Sequence, residues 1–170
     1  MDKKKTVAFG FLGTRLDAGS RERRWQRWRP TLDLCRQPEL GITRLELFAE
    51  RSHRALSERV LADVAEVAPR VEVRLHELGL EDPWDFEEVY AALFRFARDY
   101  PFKSAREDYL VHMTTGTHVA QIVWFLLCEA RRIPARLLQT APPARPPKGA
   151  RAREFLKAGI ETRNRARSRS

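Results

Sequence analysis

The sequence predicts an α/β protein, a Rossmann-like doubly wound parallel sheet of five strands in the order 3-2-1-4-5 with helices on both faces. Five short apolar segments alternate with longer stretches of helical periodicity, which is the pattern of successive βαβ units. The first and fourth segments are nearly continuous in apolar residues, as buried central strands are, whereas the second and third alternate with polar residues. The first and fourth strands are therefore predicted to lie side by side at the centre of the sheet.

The five strands are predicted in chain order from these segments. The first is Thr6–Leu12 (TVAFGFL) and the fourth is Tyr109–Met113 (YLVHM), both apolar along most of their length. The second and third, Ile42–Phe48 (ITRLELF) and Val71–Leu75 (VEVRL), alternate as strands nearer an edge do. The fifth, Ala135–Gln139 (ARLLQ), has the weakest pattern.

Apolar residues at helical spacing fill the segments between the strands. His53–Ala68 is predicted as a helix because its apolar residues recur every three or four positions and Pro69 follows. Thr117–Arg131 is the most apolar helix. The first crossover, Arg21–Cys35, is less regular, and Pro30 is predicted to begin a short helix within it.

The remaining helix is predicted from its terminal signals. It begins in the segment Asp82-Pro83-Trp84-Asp85, where Asp82 is placed at the cap and Pro83 in the first turn. It ends before Pro101. The acidic residues near its start favour the positive end of the helix dipole.

The composition is that of one folded domain with a basic tail. The chain has 170 residues, a net charge of +9 and 43% hydrophobic residues, and it has no apolar run long enough to span a bilayer. Residues 141–170 contain nine basic and two acidic residues and open on a proline-rich segment, so most of the excess positive charge lies there. We expect a domain at 1–140 and a Pro/Arg-rich, disordered tail at 141–170, in a cytoplasmic protein.

Two glycine-containing loops are predicted to form a ligand site. In a doubly wound sheet ligands bind beyond the carboxyl ends of the strands, where the winding reverses, which here lies between the first and fourth strands. The loops leaving those strands are Gly10–Thr14 and Thr114–His118. The second loop opens a helix, whose free N–H groups attract an anion, so the two loops together indicate a phosphate site.

Each loop also has a plainer interpretation, in which Thr115 or Thr117 only caps the helix and the glycines only turn the chain. Neither G-x-G-x-x-G nor G-x-x-x-x-G-K-[ST] occurs in the sequence, which argues against ordinary dinucleotide binding and ATP hydrolysis. His118 is interpreted either as a phosphate ligand or as a solvated first-turn residue. Arg15 and Asp17 are interpreted either as contacts to phosphate and ribose or as a surface ion pair.

At these loops the sequence resembles a known family. Thr6–Asp17 (TVAFGFLGTRLD), Trp84–Ala97 (WDFEEVYAALFRFA) and Asp108–Gln121 (DYLVHMTTGTHVAQ) are similar to the amino-terminal domain of the RtcR family of bacterial transcriptional activators. The resemblance extends over residues 5–140, and TTGTHVAQ is its most specific part. The family domain is a CARF (CRISPR-associated Rossmann fold) domain, which implies nucleotide binding, often as a homodimer.

The resemblance implies that the domain senses RNA ends with a 2′,3′-cyclic phosphate, or related oligonucleotides, on the same two loops. No catalytic residue, metal ligand, cofactor or membrane contact is predicted. The predicted ligand-binding residues come from both loops and their flanks, and they are Gly10, Leu12, Gly13, Thr14, Arg15, Asp17, Thr114, Thr115, Gly116, Thr117 and His118.

The family adds two further domains that these 170 residues do not contain. They are an ATPase that remodels sigma-54 RNA polymerase and a helix-turn-helix, so we expect sigma-54 RNA polymerase as a partner only in the full-length context. A truncated regulator, an excised sensor domain and a shifted reading frame all fit the sequence. By itself the chain is not expected to activate transcription.

Two other functions compete with sensing. One is a ring nuclease that cleaves cyclic oligoadenylate, as some CARF domains do, which requires positioning and stabilisation of the developing charge. The loops contain no lysine, and Thr117-His118 stands where many relatives have Thr-Lys, which weakens this interpretation. The other is a nonspecific RNA-binding module driven by the basic tail.

Overall fold

A computed structural model describes residues 4–19 and 21–143, so most of the predicted basic tail lies outside the described residues. The strands are parallel and form one five-stranded sheet in the order β3-β2-β1-β4-β5. This confirms the predicted order, with the first and fourth strands adjacent at the centre. The strands are β1 Lys5–Phe11, β2 Ile42–Glu50, β3 Glu72–Leu78, β4 Glu107–His112 and β5 Ala135–Leu138.

In the described part of the chain, four α-helices connect the strands, with short 3₁₀ helices at Arg21–Gln26 and Arg51–His53. As predicted, Pro30 begins a short helix in the first crossover. No helix among the described residues is long and apolar enough to cross a membrane. The helices are α1 Pro30–Arg36, α2 Arg54–Val67, α3 Phe86–Asp99 and α4 His118–Glu129.

The start of α3 differs from the prediction. Asp85, not Asp82, is the cap, and its carboxylate accepts a hydrogen bond of 2.8 Å from the Glu88 N–H. Asp82 instead accepts a hydrogen bond of 2.8 Å from the Trp84 N–H, which closes a turn around Pro83 and holds this segment out of the helix.

Both faces of the sheet are covered, as the continuous apolar strands predict. Side chains alternate along each strand, so Val7 and Phe9 pack under α3 and α4 while Ala8 packs under α1 and α2. Phe9 makes aromatic contacts with rings that include Tyr109 and Trp124. This two-sided core fixes where the carboxyl ends of the central strands lie.

A buried polar network ties β2, β4 and the end of α3 together. Arg44 on β2 donates to Glu46 at 2.8 Å and to Glu107 on β4 at 3.0 Å. Tyr100 and His76 each lie 2.7 Å from a carboxylate oxygen of Glu46, which is fully buried. Burial by itself would raise the pKa of Glu46, but the hydrogen bonds from His76, Tyr100 and Arg44 hold it below its usual value.

Candidate ligand-binding site

A cavity of about 580 Å³ opens at the carboxyl ends of β1 and β4, where the crossovers leave in opposite directions. This volume is within the range of about 300–1,000 Å³ typical of small-molecule sites. Both predicted loops line it, together with residues after β2 and before α3. Of the eleven predicted site residues, nine line the cavity, and they are Leu12, Gly13, Thr14, Arg15, Thr114, Thr115, Gly116, Thr117 and His118.

The conformation of the first loop is stabilised by hydrogen bonds to the buried Asp17 carboxylate. The Asp17 carboxylate accepts hydrogen bonds from the Gly13 N–H at 2.8 Å and from the N–H and hydroxyl of Thr31 at 3.0 and 2.5 Å. Burial raises the pKa of this carboxyl, and the hydrogen bonds from Thr31 and Gly13 oppose that rise. Asp17 is fully buried, so it supports the loop and does not line the cavity, in contrast to the contact with ribose or the surface ion pair considered from the sequence.

The two glycines of this loop pack closely against neighbouring side chains, which leaves little room for a Cβ atom at either position. Gly10 lies inside β1, where an added Cβ would lie 3.3 Å from the His112 Cβ, and it does not line the cavity. At Gly13 an added Cβ would lie 2.8 Å from an Asp17 oxygen and 3.0 Å from Thr115 Cγ2. Gly13 therefore lets the two loops pack against each other, and its N–H is already bonded to Asp17.

Thr14 and Arg15 are the polar groups that the first loop leaves for a ligand. Both side chains are exposed at the cavity. Within residues 4–19 and 21–143, no side-chain hydrogen bond or ion pair engages the Thr14 hydroxyl or the Arg15 guanidinium. A ligand anion is therefore free to approach both.

The threonine hydroxyls of the second loop have structural partners. The Thr115 hydroxyl donates to the Phe11 carbonyl at 2.6 Å. The Thr114 hydroxyl bonds to Thr140, accepting from its N–H at 2.8 Å. Thr117 caps α4 by accepting from the Ala120 N–H at 3.1 Å and donates to the carbonyl of Pro83 at 3.0 Å. The plainer interpretation of these hydroxyls is therefore the one the geometry supports.

Backbone groups make the second loop suitable for an anion. Gly116 has φ +92°, a conformation that side-chain-bearing residues rarely adopt, and an added Cβ would lie 3.1 Å from the Phe11 Cβ. The chain turns there into α4, whose first N–H groups, on His118 and Val119, have no acceptor inside the helix. The positive end of the α4 dipole thus faces the cavity beside the exposed His118 side chain.

Two walls of the cavity were missed by sequence reasoning. Glu50 is the last residue of β2 and His53 lies three residues further on, and Pro83 and Trp84 precede α3. The sequence did contain a signal for Glu50 and His53. Because β2 was predicted to be parallel to β1 and next to it, the carboxyl end of β2 must lie at the same edge of the sheet as the two loops. The charged and titratable side chains at the cavity are Arg15, Glu50, His53 and His118. Among the described residues no cluster of three His, Cys, Asp or Glu side chains could hold a metal ion.

Fold and site together define a class of protein: a Rossmann-type domain with a cavity at its switch point, beside the N-terminus of α4. Residues 4–157 match the family described as "Regulator of RNA terminal phosphate cyclase". The chain is 49% identical over 189 residues to the Escherichia coli transcriptional regulatory protein RtcR, covering 95% of this chain and 36% of the relative. The chain belongs to the RtcR family, and it spans about a third of the length of this curated relative.

The solved structures that share the fold include two with a bound nucleotide ligand. Enterococcus italicus Csm6, bound to cyclic hexa-2′-fluoro-hexa-dAMP, matches with a TM-score of 0.67 and 15% identity, over 99% of this chain and 41% of the other. Sulfobacillus thermosulfidooxidans Can2, in complex with cyclic tetra-adenylate, matches with a TM-score of 0.50 and 9% identity, over 79% and 31%. At these identities the likeness shows the fold alone, and that fold agrees with the Rossmann-like sheet that the sequence predicts.

Proposed function

We propose that this chain is a ligand-sensing regulatory domain that binds RNA ends carrying a 2′,3′-cyclic phosphate, or related oligonucleotides. The observation that carries the proposal is the cavity between β1 and β4, closed by the α4 N-terminus, in a member of the RtcR family. The anion-accepting groups at this cavity are the first N–H groups of α4 together with Thr14 and Arg15. The phosphate is bound there, and the rest of the nucleotide occupies the remaining cavity.

In this proposal both loops bind the phosphate, the first through side chains and the second through backbone N–H groups at the start of α4. Arg15 supplies a guanidinium that pairs with phosphate oxygens, and the exposed Thr14 hydroxyl donates a hydrogen bond. Gly116 leaves the approach to the helix N-terminus open because it has no side chain. Joined to an ATPase and a DNA-binding domain, the occupied site would control sigma-54-dependent transcription.

The proposed domain binds its ligand without cleaving it. The two loops contain no lysine to stabilise the developing phosphorane of a cleavage reaction, and three of the four loop threonines already donate to backbone or side-chain oxygens. Incubating the chain with cyclic tetra-adenylate and separating the products by chromatography tests this. Intact ligand is expected, and linear fragments that disappear on Gly116→Val would establish the nuclease alternative.

The proposed domain acts as a homodimer through the outer face of α4. Ile122, Phe125 and Leu126 on that face are 51%, 46% and 39% exposed, whereas Val123 points into the core. Contiguous exposed apolar side chains mark an association surface. Light scattering at tens of micromolar should give the dimer mass for the parent chain and the monomer mass for Phe125→Glu. A monomeric parent, with and without RNA, would contradict the dimer.

End-specific binding is the direct test of the proposed function. We expect the chain to bind a short RNA with a 2′,3′-cyclic phosphate at least about tenfold more tightly than the same RNA with a 3′-hydroxyl, the equivalent of 1.4 kcal/mol. Fluorescence anisotropy with a 5′-labelled oligonucleotide measures both affinities. Equal affinities at several salt concentrations would reject end recognition and leave only phosphate-backbone binding.

A further inference from the structure

One tryptophan stands apart from the other three in the chain. Trp124 is fully buried in the core, and Trp28 donates to Asp33 at 3.1 Å. The Trp25 ring lies under the guanidinium of Arg24, 4.9 Å from its centroid. Trp84 is 59% exposed, lines the cavity, and its indole N–H has no acceptor among the described residues. A large apolar side chain thus faces solvent at the rim of the site.

The backbone that carries this indole is firmly held. The Trp84 N–H donates to the Asp82 carboxylate at 2.8 Å, and the preceding carbonyl of Pro83 accepts from Thr117 at 3.0 Å. The Glu88 carboxylate accepts from the N–H groups of Glu81 and Asp82 at 2.6 and 3.0 Å. The backbone at Trp84 is therefore positioned before any ligand arrives, which lowers the entropic cost of binding to its indole.

The indole also lies beside the anion-accepting end of α4. Its ring centroid is 6.5 Å from that of His118, with the two planes tilted by 60°. Because a nucleotide carries base and phosphate on the same sugar, a phosphate at the first turn of α4 leaves its base within reach of this ring. Aromatic side chains stack on unpaired bases in this way and tolerate any base, since every base has a π face.

We propose that Trp84 is a stacking platform for the base of the terminal nucleotide, so that the site selects a base-bearing RNA end over a bare sugar phosphate. This inference rests on the proposed function and adds a contact to the base of the ligand, which the phosphate site does not recognise. The stacking is tolerant of sequence, with purines bound more tightly than pyrimidines because their rings are larger.

The test uses the full chain, three variants and three RNA probes. The variants are Trp84→Ala, Trp84→Phe and the control Phe86→Ala. Phe86 is a matched control because it is 43% exposed but stacks on Tyr90, with centroids 5.9 Å apart, and does not line the cavity. The probes are one oligonucleotide with a 2′,3′-cyclic phosphate, the same with a 3′-hydroxyl, and the cyclic-phosphate form with an abasic terminal nucleotide.

We expect Trp84→Ala to weaken binding of the base-bearing cyclic-phosphate RNA by roughly 5- to 150-fold, the range that stacking gives on alanine substitution. Trp84→Phe should retain most of the affinity and Phe86→Ala all of it. The parent should bind the abasic probe as weakly as Trp84→Ala binds the base-bearing one. Trp84→Ala should bind the abasic probe with little further loss of affinity, because the base and the indole act through the same contact.

Separate outcomes reject the two proposals. Parent-like binding by Trp84→Ala, or an equal loss on the abasic probe, overturns the stacking platform while end recognition stands. If the parent does not distinguish the cyclic phosphate from the hydroxyl but Trp84→Ala weakens both, the platform stands and end recognition fails. A parent that binds none of the probes overturns both. A change in dimer mass without a change in RNA affinity would assign the indole to a protein contact and reject the platform.

Discussion

The geometry of the cavity depends on a few residues whose backbone conformation or burial tolerates few other side chains. Gly116 turns the chain from β4 into α4 at φ +92°, and Asp17 holds the first loop through three hydrogen bonds. His112, the last residue of β4, is buried and its ring nitrogen lies 2.8 Å from the Thr140 hydroxyl oxygen, within hydrogen-bond distance. Substituting any one of these residues is therefore expected to change ligand binding or the free energy of unfolding measurably.

Gly116→Val is expected to abolish binding of the cyclic-phosphate RNA and to lower the free energy of unfolding by about 1–3 kcal/mol. The added side chain is strained at φ +92°, it meets Phe11, and it blocks the approach to α4. Gly79→Val is the matched control, because an added Cβ there meets nothing within 4 Å. Circular dichroism melts and anisotropy measure both effects. A folded Gly116→Val that binds like the parent would show that the site is elsewhere.

His112 should make the protein less stable as the pH falls. Burial lowers the pKa of this imidazole to about 4, below its usual 6.5. Between these values the unfolded chain takes up a proton that the folded chain does not, so stability rises with pH across this window. From pH 7 to 4 the parent should lose about 3 kcal/mol more than His112→Gln, measured by urea unfolding. Parallel pH profiles of the two proteins would contradict this.

At the scale of whole elements, two sets of polar contacts fix the position of helices and loops relative to the sheet. The Arg44 network joins β2 to β4 and to the end of α3 across β1, and the Thr117 hydroxyl joins the start of α4 to the loop before α3. Both are made of polar groups that the apolar pattern of the sequence does not display. They can be tested separately because neither shares a partner with the other.

Arg44→Ala is expected to destabilise the fold by about 3–5 kcal/mol at pH 7, since it removes the guanidinium that pairs with two buried carboxylates, Glu46 and Glu107. Both carboxyls have a lowered pKa in the fold, so their contribution to the parent is lost as the pH falls. The gap between parent and variant should therefore shrink below about pH 4.5. Arg74→Ala is the control, because Arg74 is 51% exposed, 3.8 Å from Glu46, and should cost less than about 1 kcal/mol.

Thr117→Ala is expected to lower stability by about 0.5–2 kcal/mol, the usual cost of losing a helix cap. Thr117→Ser keeps a hydroxyl for the Ala120 N–H and the Pro83 carbonyl and should behave like the parent. Thermal unfolding measures both. If the serine variant loses as much as the alanine variant, the methyl group and not the cap is what stabilises the start of α4.

At the scale of the whole molecule, the sensor and the basic tail are proposed to have separate roles. The predicted boundary near Thr140 stays a prediction, as does disorder of residues 141–170, of which 144–170 lie outside the described residues. In this division the cavity supplies end specificity, and the arginines of the tail supply contacts to any RNA backbone. Phosphate contacts position an RNA without reading its end.

Removing residues 144–170 is expected to leave end-specific binding intact and to flatten the salt dependence of binding to 3′-hydroxyl RNA, because fewer counterions are released. Replacing Arg165 and Arg167 together should lower affinity for all RNAs alike. Anisotropy titrations at several salt concentrations measure the slopes. Loss of end specificity in the shortened chain would favour the tail-driven RNA-binding module over a sensor.

The sequence by itself determined the fold, the order of the strands and the two loops at the switch point. These follow from the apolar periodicity of β1 and β4 and from the position of Gly116, both of which are local properties of the chain. Only the tertiary structure decided what each polar group does. It turned Asp17 away from the cavity and engaged the threonine hydroxyls with backbone partners, and it brought Glu50 and Trp84 to the rim. Those contacts join residues far apart in the chain, and hydrogen-bond partners of that kind leave no periodic pattern in a sequence.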